Sequence, residues 1–102
     1  MSYAGIVRTF YDEEETKLKQ IYFQINQFNN KGIKEGEFKE YFEDGQIFEI
    51  CNYVNGKMHG KYQSYYKNGQ PYITCTYVDG ILKGQYTSYH INGDIEENTF
   101  LN

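Results

Sequence analysis

Few residues in this sequence are of types that could do chemistry. Cys51 and Cys75 stand 24 residues apart, outside any Cys-x-x-Cys or other metal-ligand spacing. The plainest reading is a small hydrophobe repeated in a core, with a disulfide between neighbouring repeats or a redox role as alternatives. His59 and His90 have no carboxylate or cysteine at a spacing that would join them into an acid–base or metal site. Asp12, Glu13, Glu14 and Glu15 form an acidic run. Such a run reads as a solvated loop, with weak cation binding or a basic partner as the sharper alternative. No Gly-x-Ser-x-Gly elbow, phosphate-binding loop or dinucleotide-binding glycine pattern occurs. No catalytic residue, cofactor or metal is therefore expected, and the chain reads as a non-enzyme.

The charge narrows the partners. Ten basic against fourteen acidic side chains leave a net charge of −4 over 102 residues. A phosphate-backbone binder carries a basic footprint, so nucleic acid is not expected as a partner. A polybasic membrane patch is missing for the same reason. No apolar run approaches the roughly 20 residues that span a bilayer. Met1 to Thr9 lacks a basic start followed by an apolar stretch, so a cytoplasmic location is expected.

The elements that would position any site come from composition and repetition. Twelve Tyr and seven Phe make the chain 19 % aromatic, with one Pro and no Trp. Aromatics favour strands, so the usage predicts β structure. Gly36 to His59 reads GEFKEYFEDGQIFEICNYVNGKMH, and Gly60 to Lys83 reads GKYQSYYKNGQPYITCTYVDGILK. These 24-residue units share eight identical positions, and Gly84 onward begins a third copy that decays. Repetition at a fixed period marks a repeat architecture.

Gly45, Gly56, Gly69, Gly80 and Gly93 follow one another at steps of 11, 13, 11 and 13, each preceded by Asp or Asn. Asn-Gly and Asp-Gly accept positive φ at both centres of a tight hairpin turn. Five such turns predict an antiparallel meander with one hairpin per repeat. Residues 5–35 read as a degenerate first repeat with seven extra residues. These are expected in two loops, Asp12 to Thr16 and Asn26 to Asn30; a helix over Asp12 to Lys19 is the alternative at the first, disfavoured by the strand-like alternation of Ile21, Phe23 and Ile25. The second glycine of each Gly-x-x-x-Gly step (Gly36, Gly60, Gly84) is expected at a close approach to a neighbouring repeat or at a bulge.

Equivalent positions align as columns. Phe38, Tyr62 and Tyr86 form one, Tyr41, Tyr65 and Tyr89 another, and Tyr11, Phe42, Tyr66 and His90 a third. The first two columns together are the candidate interaction surface, and the five turn glycines are structural. The rings can bury one another, and an aromatic surface left wet is a candidate binding face.

The pattern Y-x-N/D-G-x-x-x-G-x-Y-x-x-Y-Y-x-N-G, carried by Tyr53 to Gly69 and by Tyr77 to Gly93 with His90 in place of a ring, resembles the MORN repeat in its variant form. The standard Tyr-x-Gly-x-Trp signature is absent. The variant is similar to repeats in bacterial antitoxin-like proteins and in large DNA viruses. The resemblance implies an all-β, elongated, twisted single-layer antiparallel sheet of β-hairpins, about three and a half repeats in one domain over residues 1–102. The units are a degenerate repeat 5–35, repeats 36–59 and 60–83, and a truncated capping repeat 84–102. It implies a scaffold for protein–protein interaction that self-associates, with a homodimer as the expected state. Membrane-lipid association and antitoxin-like neutralisation of a partner protein are the alternatives. A viral source would place the chain in a host cytoplasm.

Overall fold

The computed structural model describes residues 3–26 and 32–101. Strands alternate with turns throughout: β1 (Tyr3–Phe10), β2 (Leu18–Asn26), β3 (Gly32–Tyr41), β4 (Ile47–Val54), β5 (Lys57–Met58), β6 (Gly60–Tyr65), β7 (Pro71–Val78), β8 (Ile81–Tyr89) and β9 (Ile95–Leu101). All pairings are antiparallel, in the order β1-β2-β3-β4-β6-β7-β8-β9, with the two-residue β5 beside β4. The result is one open meander. No helix occurs among the described residues.

The slab measures 47 × 38 × 14 Å. A thickness of 14 Å fits one sheet with side chains on both faces, because two stacked sheets would place their backbones about 10 Å apart before side chains are added. The radius of gyration is 15.5 Å, against about 13 Å for a compact chain of this length. The core is correspondingly thin. Among the described residues, Phe38, Cys51 and Cys75 are its buried apolar side chains, joined by Ser64, Thr87 and Ser88.

The turns divide by sheet end. At one end, Asn55-Gly56 and Asp79-Gly80 have positive φ at both centres (52° and 81°, 51° and 82°), the two-residue geometry expected from the dipeptides. At the opposite end Asp44-Gly45, Asn68-Gly69 and Asn92-Gly93 have positive φ at the glycine alone. There the loops contain three residues. Phe42 N–H donates to the Gln46 carbonyl at 2.7 Å, and Gly45 N–H closes a turn on the Phe42 carbonyl at 2.9 Å. The same pattern recurs at Tyr66 to Gln70 and at His90 to Asp94. Asp44, Asn68 and Asn92 stay out of the left-handed region; each side chain accepts the N–H two residues on at 3.0 Å. The same dipeptide thus makes two turns, and the alternating 11- and 13-residue steps reflect the alternation.

The loop replacing the first such turn closes on Asp12. Its carboxylate accepts the N–H groups of Thr16 and Lys17, and the Thr16 hydroxyl. Leu18 then starts a strand, so the Asp12 to Lys19 region is a loop and strand and not a helix. Of the second inserted segment, Asn26 closes β2 and residues 27–30 lie outside the described residues.

Gly36, Gly60 and Gly84 also have positive φ, at 85°, 94° and 79°. A Cβ at any of them would meet nothing within 4 Å. Close approach is therefore excluded, and backbone conformation is the reason for glycine. The strand registers shift nearby, from Tyr22↔Phe38 to Gln24↔Lys34 and from Thr74↔Thr87 to Thr76↔Lys83. These are bulges.

Candidate interaction surface

Alternation along the strands sorts the side chains into two faces. The pairings Tyr22↔Phe38, Phe38↔Cys51, Tyr62↔Cys75 and Tyr86↔Thr99 run a row across one face. Rings meet along it: Tyr22 and Phe38 at 5.3 Å, Phe38 and Tyr53 at 5.8 Å, Tyr62 and Tyr77 at 5.9 Å between centroids. The last two are edge-on, the favoured geometry for opposed quadrupoles. This is the ring face.

Tyr41, Tyr65 and Tyr89 lie three residues beyond Phe38, Tyr62 and Tyr86 on their strands, and so on the opposite face. The six rings expected to form one surface therefore divide between two, because an odd step along a strand changes sides. Phe38 is 5 % exposed and belongs to the core; Tyr62, Tyr86 and the other three are half-buried. On the second face two shallow depressions of about 510 and 370 Å³ follow one another. Tyr41 lines the first with Ile6, Ile21 and Lys39, and Tyr65 the second with Ile50, Lys61 and Gln63. Both mix apolar floor with charges of both signs.

Lys34 was not singled out in the sequence. Its ammonium sits over three rings of the ring face: Tyr22 at 5.0 Å, Tyr53 at 5.6 Å and Phe38 at 5.9 Å. The repeat period carried the signal, since Lys34, Met58 and Leu82 are 24 residues apart. A long side chain is set among the rings once per repeat, and Lys34 adds a charge to that position.

Tyr62 donates its hydroxyl to Glu49 Oε2 at 2.6 Å. Burial, and then this bond and the Glu49 charge, push the Tyr62 phenol well above its ordinary range. Cys51 is pushed up to about 12, mainly by burial with Glu49 adding to it, and burial also raises Cys75. Both thiols are free and neutral near pH 7. They are not adjacent, as the sequence allowed. Glu49↔Ser64 and Tyr62↔Cys75 place strand β6 between them, about two strand spacings or ~10 Å apart, beyond the reach of a disulfide.

His59 serves the stacking of repeats. His59 Nδ1 accepts the Asp79 N–H at 3.3 Å, and at the equivalent place Glu35 Oε1 accepts the Asn55 N–H at 3.0 Å. His90 Nδ1 lies 3.9 Å from Glu96 Oε2 on the surface. Asp12 of the acidic run is used inside its own loop. Among the described residues no group of three or more His, Cys, Asp or Glu is placed to hold a metal. Nor is any helix there long and apolar enough to cross a membrane.

What the geometry offers is therefore surface: two faces with repeated rings, and two outer strands. The repeat itself is matched by a known family pattern, the MORN repeat variant, at residues 34–55 and again at 58–79. The matches begin 24 residues apart, at Lys34 and at Met58. The chain carries two variant MORN repeats. Each matched MORN repeat spans the bulge glycine, the three-residue loop and the return strand to the tight turn. MORN repeats commonly serve as modules for protein or membrane interaction. No curated protein and no solved structure matches the chain.

Proposed function

We propose that this chain is a non-enzymatic interaction module that binds a protein partner and pairs with a second copy of itself along β1. The reading is carried by the open sheet: among the described residues β1 and β9 each pair with one neighbour, leaving their outer backbone groups for another strand. The two edges differ in protection. β9 carries Glu96 and Glu97, which would face like charges in a second copy. β1 has Arg8 as its one charged residue and exposes Ile6 at 57 %. A partner strand is therefore accepted more readily at β1.

Sedimentation at micromolar concentration is expected to give twice the 12.1 kDa chain mass. Ile6→Lys is expected to shift it to monomer, and Ile95→Lys, equally exposed on β9, to leave the dimer. A monomer in the unsubstituted chain, or dimers resistant to Ile6→Lys, would overturn the β1 assignment.

The net charge of −4 favours a protein partner over an anionic membrane. Vesicles containing phosphatidylserine at physiological salt are expected to leave the protein in the supernatant. Co-sedimentation would move the reading to the membrane branch of the family's uses.

A further inference from the structure

We infer that Asn55 is a site of spontaneous covalent modification, where the tight turn converts itself to aspartate and isoaspartate. The chain has three Asn-Gly turns: Asn55-Gly56, Asn68-Gly69 and Asn92-Gly93. In such a pair the glycine nitrogen can attack the asparagine Cγ, unhindered by a side chain. Its proton is relayed through water to the side-chain nitrogen, the Cγ–Nδ2 bond breaks, and that nitrogen leaves as ammonia. A cyclic succinimide remains. Water then adds at one of its two carbonyls, giving aspartate or, through the other, isoaspartate. No electrons change hands, and water is the one co-reactant.

The fold holds two of these three turns against the reaction. Asn68 Oδ1 accepts the Gln70 N–H at 3.0 Å, and its Nδ2 donates to the Ile91 carbonyl at 3.1 Å. Asn92 Oδ1 accepts the Asp94 N–H at 3.0 Å, and its Nδ2 donates to Asp94 Oδ2 at 3.2 Å. Both amides are tethered at both atoms, and Cγ cannot swing to the glycine nitrogen until those bonds break. The exposed Asn55 side chain has no such bond among the described residues; the bond at this residue is its backbone N–H to Glu35. The Gly56 N–H donates to the Lys34 carbonyl at 3.0 Å, a single bond to release.

The two products differ in consequence. Aspartate is already the residue at the equivalent turn, where Asp79 has φ of 51° against 52° for Asn55. That product keeps the turn and takes the net charge from −4 to −4 − 1 = −5. Isoaspartate routes the backbone through the side chain and adds a methylene to a two-residue turn. Its Gly56 N–H leaves the Lys34 carbonyl, and the stacking of the second repeat on the first loosens.

The folded protein, held in mildly alkaline buffer at physiological temperature, is sampled by peptide mass spectrometry that separates aspartate from isoaspartate. Asn55 is expected to convert at least about fivefold faster than Asn68 or Asn92, the factor one net hydrogen bond supplies. In urea the three rates are expected to converge. Equal rates in the folded state, or Asn68 or Asn92 converting first, would overturn the inference; so would a lead at Asn55 that persists unchanged in urea. Asn55→Asp, made as the first product, is expected to keep the thermal midpoint of the parent, and a clear loss would overturn the claim that this product is accommodated.

Discussion

The two ends of the sheet are built from the same dipeptide and hold the repeats together in opposite ways. At the tight-turn end backbone N–H groups are the donors that do the joining, to carbonyls and to the Glu35 and His59 side chains. Gly56 N–H reaches back to the Lys34 carbonyl at 3.0 Å, and Gly80 N–H to the Met58 carbonyl at 2.7 Å. Each turn docks on the preceding repeat. At the loop end side chains do the joining, and they reach forward. Tyr11 donates its hydroxyl to the Tyr41 carbonyl, and Tyr66 to the Tyr89 carbonyl, both at 2.7 Å. A repeat protein needs register between neighbours as well as within hairpins. Here one end supplies it with main-chain donors that any sequence carries, and the other with a hydroxyl that a single substitution can remove.

That contrast can be broken at its backbone side first. Gly56→Ala is expected to cost about 2–3 kcal/mol, since φ is 81° and the new Cβ meets Ile33 Cγ2 at 3.2 Å. Gly45→Ala at the loop end has φ of 92° but nothing within 4 Å; it is expected to cost about 1–2 kcal/mol. Urea denaturation midpoints check the order, and equal losses would remove the difference between the ends. On the side-chain end, Tyr66→Phe is expected to cost about 1 kcal/mol, because it deletes one hydroxyl bond at a half-buried site.

A smaller effect of opposite sign sharpens the same point. Phe42 occupies the column of Tyr11 and Tyr66 without a hydroxyl. Tyr66 reaches the carbonyl 23 residues on, and 42 + 23 is Tyr65. Phe42→Tyr is expected to gain about 0.5 kcal/mol through a bond to that carbonyl. Thermal unfolding without an increase would count against forward reach as a general rule of this end.

The smallest effect is local and pH-dependent. Asp12 lies at the loop end, and its hydrogen bonds, led by the one from the Thr16 hydroxyl, hold its carboxyl below the ordinary range. A carboxylate with a depressed pKa stabilises above its ordinary value near 3.9, and that stabilisation disappears as pH falls through the folded pKa. Amide protection at Thr16 and Lys17, whose N–H groups Asp12 accepts, is expected to drop on acidification below about pH 4. Protection at Gly56, bonded to a backbone carbonyl, is expected to hold. Parallel loss at both places would mean general unfolding and not release of this loop.

Much of this was legible in the chain because the repeat writes each column three times. The period of 24, the five turn glycines and the aromatic columns determined the meander and the strand order, and the resemblance to the MORN variant implied the single layer. They could do so because antiparallel hairpins are local: strands joined by short turns pair with their neighbours. Other features waited on the tertiary structure. Whether an Asp-Gly or Asn-Gly makes a two- or three-residue turn goes with the sheet end it lies at and with whether its glycine N–H meets a carbonyl of the preceding repeat or of its own turn. That Phe38 and Tyr41 face opposite ways follows from strand parity once the strand is known to run unbroken through both. That β6 separates Cys51 from Cys75, and that Lys34 lies over three rings, depends on register between strands. Register is an alignment of residues distant in the chain, so composition and spacing propose it and the packed sheet decides it.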